Sequence, residues 1–194
     1  MVRYLALSAL TAVAVAEWRA NAKRGIPVVL VVAVAVIADY LPAPFPLISL
    51  NHPAVYDELR DRAEAGAVCE LPLGLRDGFG QQGAFDDGVL FYQTIHQRPM
   101  VGGFVARLSR TVTDAYENDP LLAGLVSLSA RAVDNAVALP DRQLASTKLR
   151  ENRIRFIVLN RHRASSNLIA YVEGVLPLTL VAEHDGRSLY IVSE

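Results

Sequence analysis

The chain has 194 residues, a formal net charge of −1 and a single cysteine, Cys69. A nearly neutral charge gives no electrostatic reason to expect nucleic acid or an acidic surface as a partner. One cysteine excludes an internal disulfide and a metal site built from several cysteines. Because Cys69 lies in the apolar run AVCELPL, we expect a buried, unreactive thiol.

The first fifty residues contain a long apolar stretch. Residues 26–41 have the sequence IPVVLVVAVAVIADYL, with no charge before Asp39, and the proline-rich run PAPFPLI follows them. A helix needs about 17 to 25 apolar residues to cross a bilayer. Counted from Gly25 through Ile48, the segment reaches that length. It therefore predicts a membrane-spanning helix, with a buried core helix or strand as the alternative.

A second apolar stretch, residues 2–16, precedes it and has two interpretations. It is either a signal peptide with a cleavage site at Ala14-Val15-Ala16, or a first membrane helix. The loop between the two stretches carries Arg19, Lys23 and Arg24, and such positive loops stay in the cytoplasm. This favours a membrane hairpin. Both interpretations place the rest of the chain outside the cytoplasm, at the inner membrane, with membrane lipid as a partner.

The pattern after the prolines predicts an extracytoplasmic domain over residues 49–194, following an anchor over residues 1–48. A helix is expected from Asn51-His52-Pro53 to Gly66, with Val55, Leu59 and Ala63 on its apolar face. Gly66–Leu73 predicts a buried strand. The glycines and aspartates of residues 76–88 predict a loop.

The middle of the domain alternates between helices and loops. Val89–His96 is predicted to be helical, and a loop runs through Pro99, Gly102 and Gly103. Asp119 is placed to cap a helix over Pro120–Leu139. A short helix is predicted over Asp141–Glu151.

The end of the chain predicts a strand, a helix and a hairpin. Ile154–Asn160 is the strongest strand, a helix starts at Ser165 or Ser166 and ends at Gly174, and Asp185-Gly186 suits a type I′ turn. The fold class is therefore α/β: after the membrane hairpin, a small mixed sheet flanked by helices and ending in a β-hairpin. The long helical connection predicts parallel pairing of Ala67–Leu71 with Arg155–Leu159.

Seven residues form the most concentrated candidate ligand site. A carboxylate at a strand end beside a glycine-rich loop is a frequent place for ligand contact, a histidine can transfer protons, and arginines can hold a phosphate. The candidates are Glu70, Gln93, His96, Arg98, Gly102, Gly103 and Arg107. The alternative is structural: Glu70 pairs with Arg98 or Arg107, His96 is a buried structural histidine, and the glycines allow a tight turn.

Other chemistry finds no support in the sequence. The four histidines are far apart and none belongs to an HExxH or HxH pattern, so neither a metal nor another cofactor is expected. No phosphate-binding glycine loop and no GxSxG elbow is present. The basic stretch from Lys148 to Arg163 lacks interleaved aromatic residues, which favours a solvated face, or one near anionic lipid headgroups, over nucleic-acid binding.

Several phrases resemble the C-terminal region of bacterial polytopic membrane proteins, the GT-C-type glycosyltransferases and their relatives. They are the proline-rich exit, PAVYDELRDRAEAGAVCELPL (Pro53–Leu73), FYQTIHQRPMVGGFVAR (Phe91–Arg107), the strand RFIVL and the terminal hairpin. The resemblance implies a polyprenyl-phosphate-linked sugar or a polytopic membrane protein as partner. It also implies a truncated chain, since such enzymes carry acidic catalytic residues in an early outer loop for which this chain has no room.

Two functional hypotheses follow. The first is a non-catalytic outer domain, binding a ligand or partner, of a truncated or split membrane glycosyltransferase-like protein. The second is a small membrane-anchored enzyme that uses Glu70 and His96.

Overall fold

A computed structural model describes residues 52–84, 86–130 and 137–193, together with scattered residues between 11 and 37. The chain forms two compact units, Met1–Leu50 and Asn51–Glu194. The described residues of the first unit are helical. No helix formed by described residues is long and apolar enough to cross a membrane. Because the stretches 2–16 and 26–41 and the proline-rich exit lie largely outside the described residues, the membrane hairpin stays a prediction.

The second unit contains a mixed sheet of five strands and a smaller sheet of three. The first comprises β1 (Ala67–Leu71), β4 (Met100–Val101), β6 (Ile154–Asn160), β7 (Leu178–His184) and β8 (Arg187–Val192), in the order β4-β1-β6-β8-β7. The second comprises β2 (Gly74–Arg76), β3 (Gln81–Gly83) and β5 (Gly103–Phe104), in the order β3-β2-β5. The helices are α1 (Val55–Asp61), α2 (Gly88–His96), α3 (Arg110–Asn118), α4 (Pro120–Ser129), α5 (Arg142–Glu151) and α6 (Ser166–Gly174).

Strand β1, next to the edge strand β4, has a parallel neighbour on each side. It pairs with β6, with Val68 opposite Phe156 and Leu71 opposite Leu159, and on its other side with β4. The predicted parallel pairing is confirmed. The chain leaves β1 for β4 on one side and then crosses to β6 on the other, so the carboxyl ends of β1 and β6 mark the point where the strand order reverses.

Alternating side chains of the sheet supply two hydrophobic cores, as a sheet covered on both faces requires. On one face, Val68, Phe156 and Val158 pack with residues of α1, including Tyr56 and Leu59. On the other face, residues of α4, α5 and α6 complete the core: Leu121, Leu125, Leu149, Leu168 and Val172 against Leu71, Ile157 and Leu159. The predicted α/β class is confirmed.

Local capping chemistry fixes several element boundaries where the sequence placed them. Asp119 accepts hydrogen bonds from the first turn of α4, Asp141 from that of α5, and Ser165 from that of α6. Asp185 and Gly186 have φ values of 49° and 66°, which a type I′ hairpin turn requires. The cysteine is buried, and burial raises the pKa of Cys69 to about 12.

Other boundaries were predicted wrongly. The first helix ends at Asp61, before Ala63 and Gly66, because the carbonyl of Leu59 accepts a hydrogen bond from the Arg98 guanidinium instead of continuing the helix. The helix predicted to reach Leu139 ends at Ser129, where Ala130 turns to extended backbone, and residues 137–140 are not helical.

Short elements within the predicted loops were also missed. The predicted loop over residues 76–88 contains β3, which pairs with β2, and the predicted loop around Gly102 and Gly103 contains β4 and β5. The helix α3 was not predicted.

Candidate functional site

The structure separates the seven candidate residues. Glu70 lies in a buried cluster, His96 and Arg98 adjoin the end of α1, and Gln93 and Arg107 line an open groove. Gly102 and Gly103 border both the buried cluster and the groove. The candidates therefore lie at three places: the buried cluster, the end of α1 and the groove.

Glu70 lies near the carboxyl end of β1, on the face covered by α1 and α2. Its side chain is 5% exposed, and the Tyr56 hydroxyl donates a hydrogen bond of 3.2 Å to Oε2. Within the described part of the chain, Oε1 has no hydrogen-bond partner. Burial raises the pKa of Glu70 to about 8, against the opposing influence of the nearby Arg187 cation. The carboxyl group is therefore mostly protonated at neutral pH.

A stacked column of side chains lies beside Glu70. The Arg187 guanidinium lies 4.9 Å from the ring centre of Tyr92, Tyr92 stacks on Tyr56 at 4.2 Å, and Tyr56 lies 6.2 Å from His96. These contacts connect the start of β8 to α1 and α2.

Asp86 joins the column to the chain after β6. Its carboxylate forms ion pairs with Arg187 at 3.4 Å and with Arg163 at 3.0 Å. We call Tyr56, Glu70, Asp86, Tyr92 and Arg187 the buried cluster. The structural alternative therefore named the wrong arginine for Glu70: the cation beside it is Arg187, contributed by β8, rather than Arg98 or Arg107.

Glu70 adjoins a cavity that is too small for a substrate. The cavity has a volume of about 10 Å³ and is bordered by Glu70, Asp86, Gly102 and Gly103, together with residues 72–74, Val89 and Val101. A volume of that size holds one water molecule at most. The space beside Glu70 therefore has no room for a substrate.

His96 and Arg98 stabilise the turn after α1. His96 is 3% exposed, its Nδ1 accepts a hydrogen bond of 3.1 Å from the Arg98 backbone, and burial and then the Arg98 charge lower its pKa to about 4. The Arg98 guanidinium donates to the carbonyls of Leu59, Arg62 and Glu64, at 3.0, 2.5 and 2.5 Å. All three guanidinium nitrogens are used on backbone, so Arg98 has a structural role.

The remaining candidates, Gln93, Gly102, Gly103 and Arg107, line an open groove. It has a volume of about 380 Å³, and its polar lining comprises Gln93, Gly102, Gly103, Arg107, Ser109 and Tyr116. The other lining residues are apolar: Leu75, Leu90, Met100, Phe104, Val105, Leu108 and Val112. A concave apolar surface with a few polar groups is typical of a ligand site.

Two contacts fix the shape of the groove wall. The Tyr116 hydroxyl accepts a hydrogen bond of 2.7 Å from the backbone N–H of Gly102. A side chain at Gly102 would need a φ of 88° and would place its Cβ 2.7 Å from Leu73, so this position requires glycine. Gln93 donates to the Arg98 carbonyl at 3.2 Å, which holds α2 against the same segment.

Arg107 is the cation of the groove. Its guanidinium lies 6.0 Å from the Phe79 ring centre and forms no ion pair with a carboxylate of the described residues. Three backbone N–H groups, and then the charge of Arg107, lower the pKa of Asp77. The charge of Arg107 reaches Asp77, but no ion pair joins the two side chains, so the guanidinium keeps donors for an anionic group.

The predicted basic stretch does not form one face. Arg150, Arg153 and Arg155 line a cavity of about 990 Å³ at the amino ends of β1 and β6. Arg161 and Arg163 lie at the opposite end of β6, where they pair with Glu173 and Asp86. Ligands of open α/β sheets bind at the carboxyl ends of the strands, so the larger cavity lies at the less favourable edge.

Several residues of the buried cluster and the groove were not anticipated, namely Tyr56, Asp86, Tyr92, Tyr116 and Arg187. The sequence does contain a signal for Arg187. It stands two residues before Leu189 in β8, so both side chains lie on the same buried face of the strand, where a charge needs a partner. The others lie on helices or loops whose packing partners are distant in sequence.

Comparison with known proteins does not identify a family for this chain. No family model, curated protein or solved structure matches the chain. Among the described residues, no group of three or more histidine, cysteine or acidic side chains could hold a metal ion. Function is therefore inferred from the geometry of the groove and of the buried cluster.

Proposed function

We propose that residues 49–194 form the outer, non-catalytic ligand-binding domain of a membrane-anchored protein that works with a larger glycosyltransferase-like membrane protein. The observation that carries the proposal is the groove, in which an arginine that forms no ion pair with a described carboxylate lies at an apolar surface. The ligand class is a polyprenyl-phosphate-linked sugar, in agreement with the resemblance of Pro53–Leu73 and Phe91–Arg107 to such proteins.

The lining of the groove suits an amphipathic anion. Its volume of about 380 Å³ lies within the usual range for small-molecule sites, about 300 to 1,000 Å³. Arg107 can bind a phosphate through two parallel hydrogen bonds, while Leu90, Met100 and Val112 offer apolar contacts to a hydrocarbon chain.

The burial of Glu70 and His96 argues against catalysis by these two residues. Both side chains are almost fully enclosed, and the cavity beside Glu70 holds one water at most. The alternative, an enzyme that uses these two residues, requires substrate to reach groups that the closed structure covers.

The test is a titration of the full chain, in detergent micelles, with a fluorescent polyprenyl phosphate. Arg107→Gln should weaken binding about tenfold, since it removes a charge-assisted hydrogen bond. Arg142→Gln is the matched control, because Arg142 is exposed and lies outside the groove. Equal affinities of the two variants, or no binding by the wild type, would contradict the proposal. A turnover that Glu70→Gln abolishes without loss of folding would establish the enzyme instead.

A further inference from the structure

Large apolar side chains are exposed beside the groove. Phe79 is 85% exposed, and Phe104, Val105 and Val112, which line the groove, are also exposed. Contiguous apolar patches of this kind mark interaction sites more often than scattered single residues do.

Phe79 is held outward by a fixed loop. Asp77 Oδ1 accepts hydrogen bonds of 2.7 Å from the backbone N–H groups of both Phe79 and Gly80, and its Oδ2 accepts one of 3.0 Å from Leu108. The loop between β2 and β3 is thereby tied to the segment before α3. The exposure of Phe79 therefore belongs to the folded structure of this loop.

The exposed residues form one connected surface. Arg76 of β2 lies opposite Phe104 of β5 in the parallel strand register, and the Val105 N–H donates a hydrogen bond of 3.0 Å to the Arg76 carbonyl. Each phenylalanine has a guanidinium beside it: Arg107 lies 6.0 Å from the Phe79 ring centre and Arg76 lies 5.9 Å from that of Phe104.

The surface also carries three arginines. Arg110, the first residue of α3, is exposed and, like Arg107, forms no ion pair with any described carboxylate. Asp87 pairs with Arg76 at 3.5 Å, and the Asp77 carboxylate, whose pKa the charge of Arg107 helps to lower, accepts its hydrogen bonds from backbone N–H groups. We call this surface the rim; it comprises Arg76, Phe79, Phe104, Val105, Arg107, Arg110 and Val112.

We propose that the rim contacts the anionic surface of a lipid bilayer, with Phe79 inserted at the depth of the headgroups and the groove opening beside it. Aromatic side chains favour that depth, and arginines attract anionic headgroups. The inference rests on the proposed function, since it gives a lipid-linked ligand a direct path from the bilayer into the groove. It adds a membrane contact that is independent of the predicted anchor.

The test uses the full chain in liposomes of phosphatidylcholine with phosphatidylglycerol. Phe79→Cys carries an environment-sensitive NBD label, while the native Cys69 is buried and unreactive. Leu180→Cys is the matched control, since Leu180 is 52% exposed and lies on β7. We expect the label at position 79, but not at 180, to shift to the blue and to be quenched by spin-labelled lipids. Arg110→Gln should lower the lipid-contacting fraction about fivefold.

A second labelling site guards against a folding defect. Gly80→Cys places its Cβ in open space and should report the same quenching. Equal, unquenched spectra at positions 79, 80 and 180 would overturn the inference. A blue shift without quenching by lipid would also overturn it, in favour of a protein partner or a second copy of the chain. Retained polyprenyl-phosphate binding in micelles would show that the proposed function survives such a result.

Discussion

The buried cluster and the groove contain similar side chains in opposite settings. In the buried cluster, Arg187 lies against two tyrosine rings and faces Asp86, and Glu70 lies under α1 and α2. In the groove, Arg107 faces open space beside an exposed phenylalanine. A charged group that forms ion pairs within its own chain stabilises the fold, whereas one that forms no ion pair keeps donors for a ligand.

The difference shows why a concentrated set of polar residues is weak evidence for a site. His96 and Arg98 lie close in sequence to Gln93 and Arg107, yet they, like Glu70, are used inside the domain. Partner contacts, rather than residue type, separate the two groups.

The largest expected effect is on the buried cluster. Arg187→Ala should lower the free energy of unfolding by about 3 kcal/mol, because it removes a buried cation that pairs with Asp86 and contacts the rings of Tyr56 and Tyr92. Urea unfolding of the full chain in micelles, followed by near-ultraviolet circular dichroism, measures the change.

Arg163→Ala is the control for this variant. Arg163 also contacts Asp86, at 3.0 Å, but its side chain is exposed, so its loss should cost less than about 1 kcal/mol. If the two variants were equally stable, the distinction between an internal and an exposed cation would fail.

The next effect is a change in how stability depends on pH. Burial raises the pKa of Glu70 from 4.5 to about 8, so between these values the folded state holds a proton that the unfolded state has lost. Stability should therefore fall as pH rises through this window, by at most about 1.4 kcal/mol per pH unit. Glu70→Gln should abolish that fall, as unfolding measured in a series of buffers would show.

His96 opposes this effect over part of the window. Burial lowers its pKa from 6.5 to about 4, so between these values the unfolded state holds the extra proton and stability rises with pH. The two contributions offset each other between about pH 4.5 and 6.5, and the contribution of Glu70 stands alone between about pH 6.5 and 8. A wild-type profile that is flat above pH 6.5 and unchanged by Glu70→Gln would show that the carboxyl group is not held protonated.

Much of the fold was predictable because its signals are local. Asp119, Asp141 and Ser165 cap helices through bonds to their own first turns, and Asp185-Gly186 forms its turn with neighbouring residues. The β-branched and aromatic residues of Ile154–Asn160 identify a strand without reference to the rest of the chain.

The errors arise where distant residues decide the outcome. The end of α1 depends on Arg98, which lies 39 positions beyond Leu59. The short strand β3 exists because it pairs with β2, and its sequence Gln-Gln-Gly has little strand propensity of its own. The same holds for the candidate site, since the two arginines that pair with Asp86, Arg163 and Arg187, lie 77 and 101 positions beyond it.

The smallest expected effect separates folding from binding in the groove. Tyr116→Phe removes the acceptor for the Gly102 N–H and should cost about 1 kcal/mol of folding free energy. Because Gly102 lines the groove, the loss should also loosen the groove wall and weaken polyprenyl-phosphate binding severalfold.

Tyr171→Phe is the matched control for Tyr116→Phe. It removes one hydrogen bond of 3.0 Å to the Pro140 carbonyl, away from the groove, and should cost similar stability. Only Tyr116→Phe should change the affinity measured by titration in micelles. Wild-type affinity in both variants would mean that the Gly102 turn does not shape the binding surface. Equal weakening by both would mean that the titration reports the stability of the domain. A selective loss would connect the geometry of one backbone N–H to recognition of the ligand.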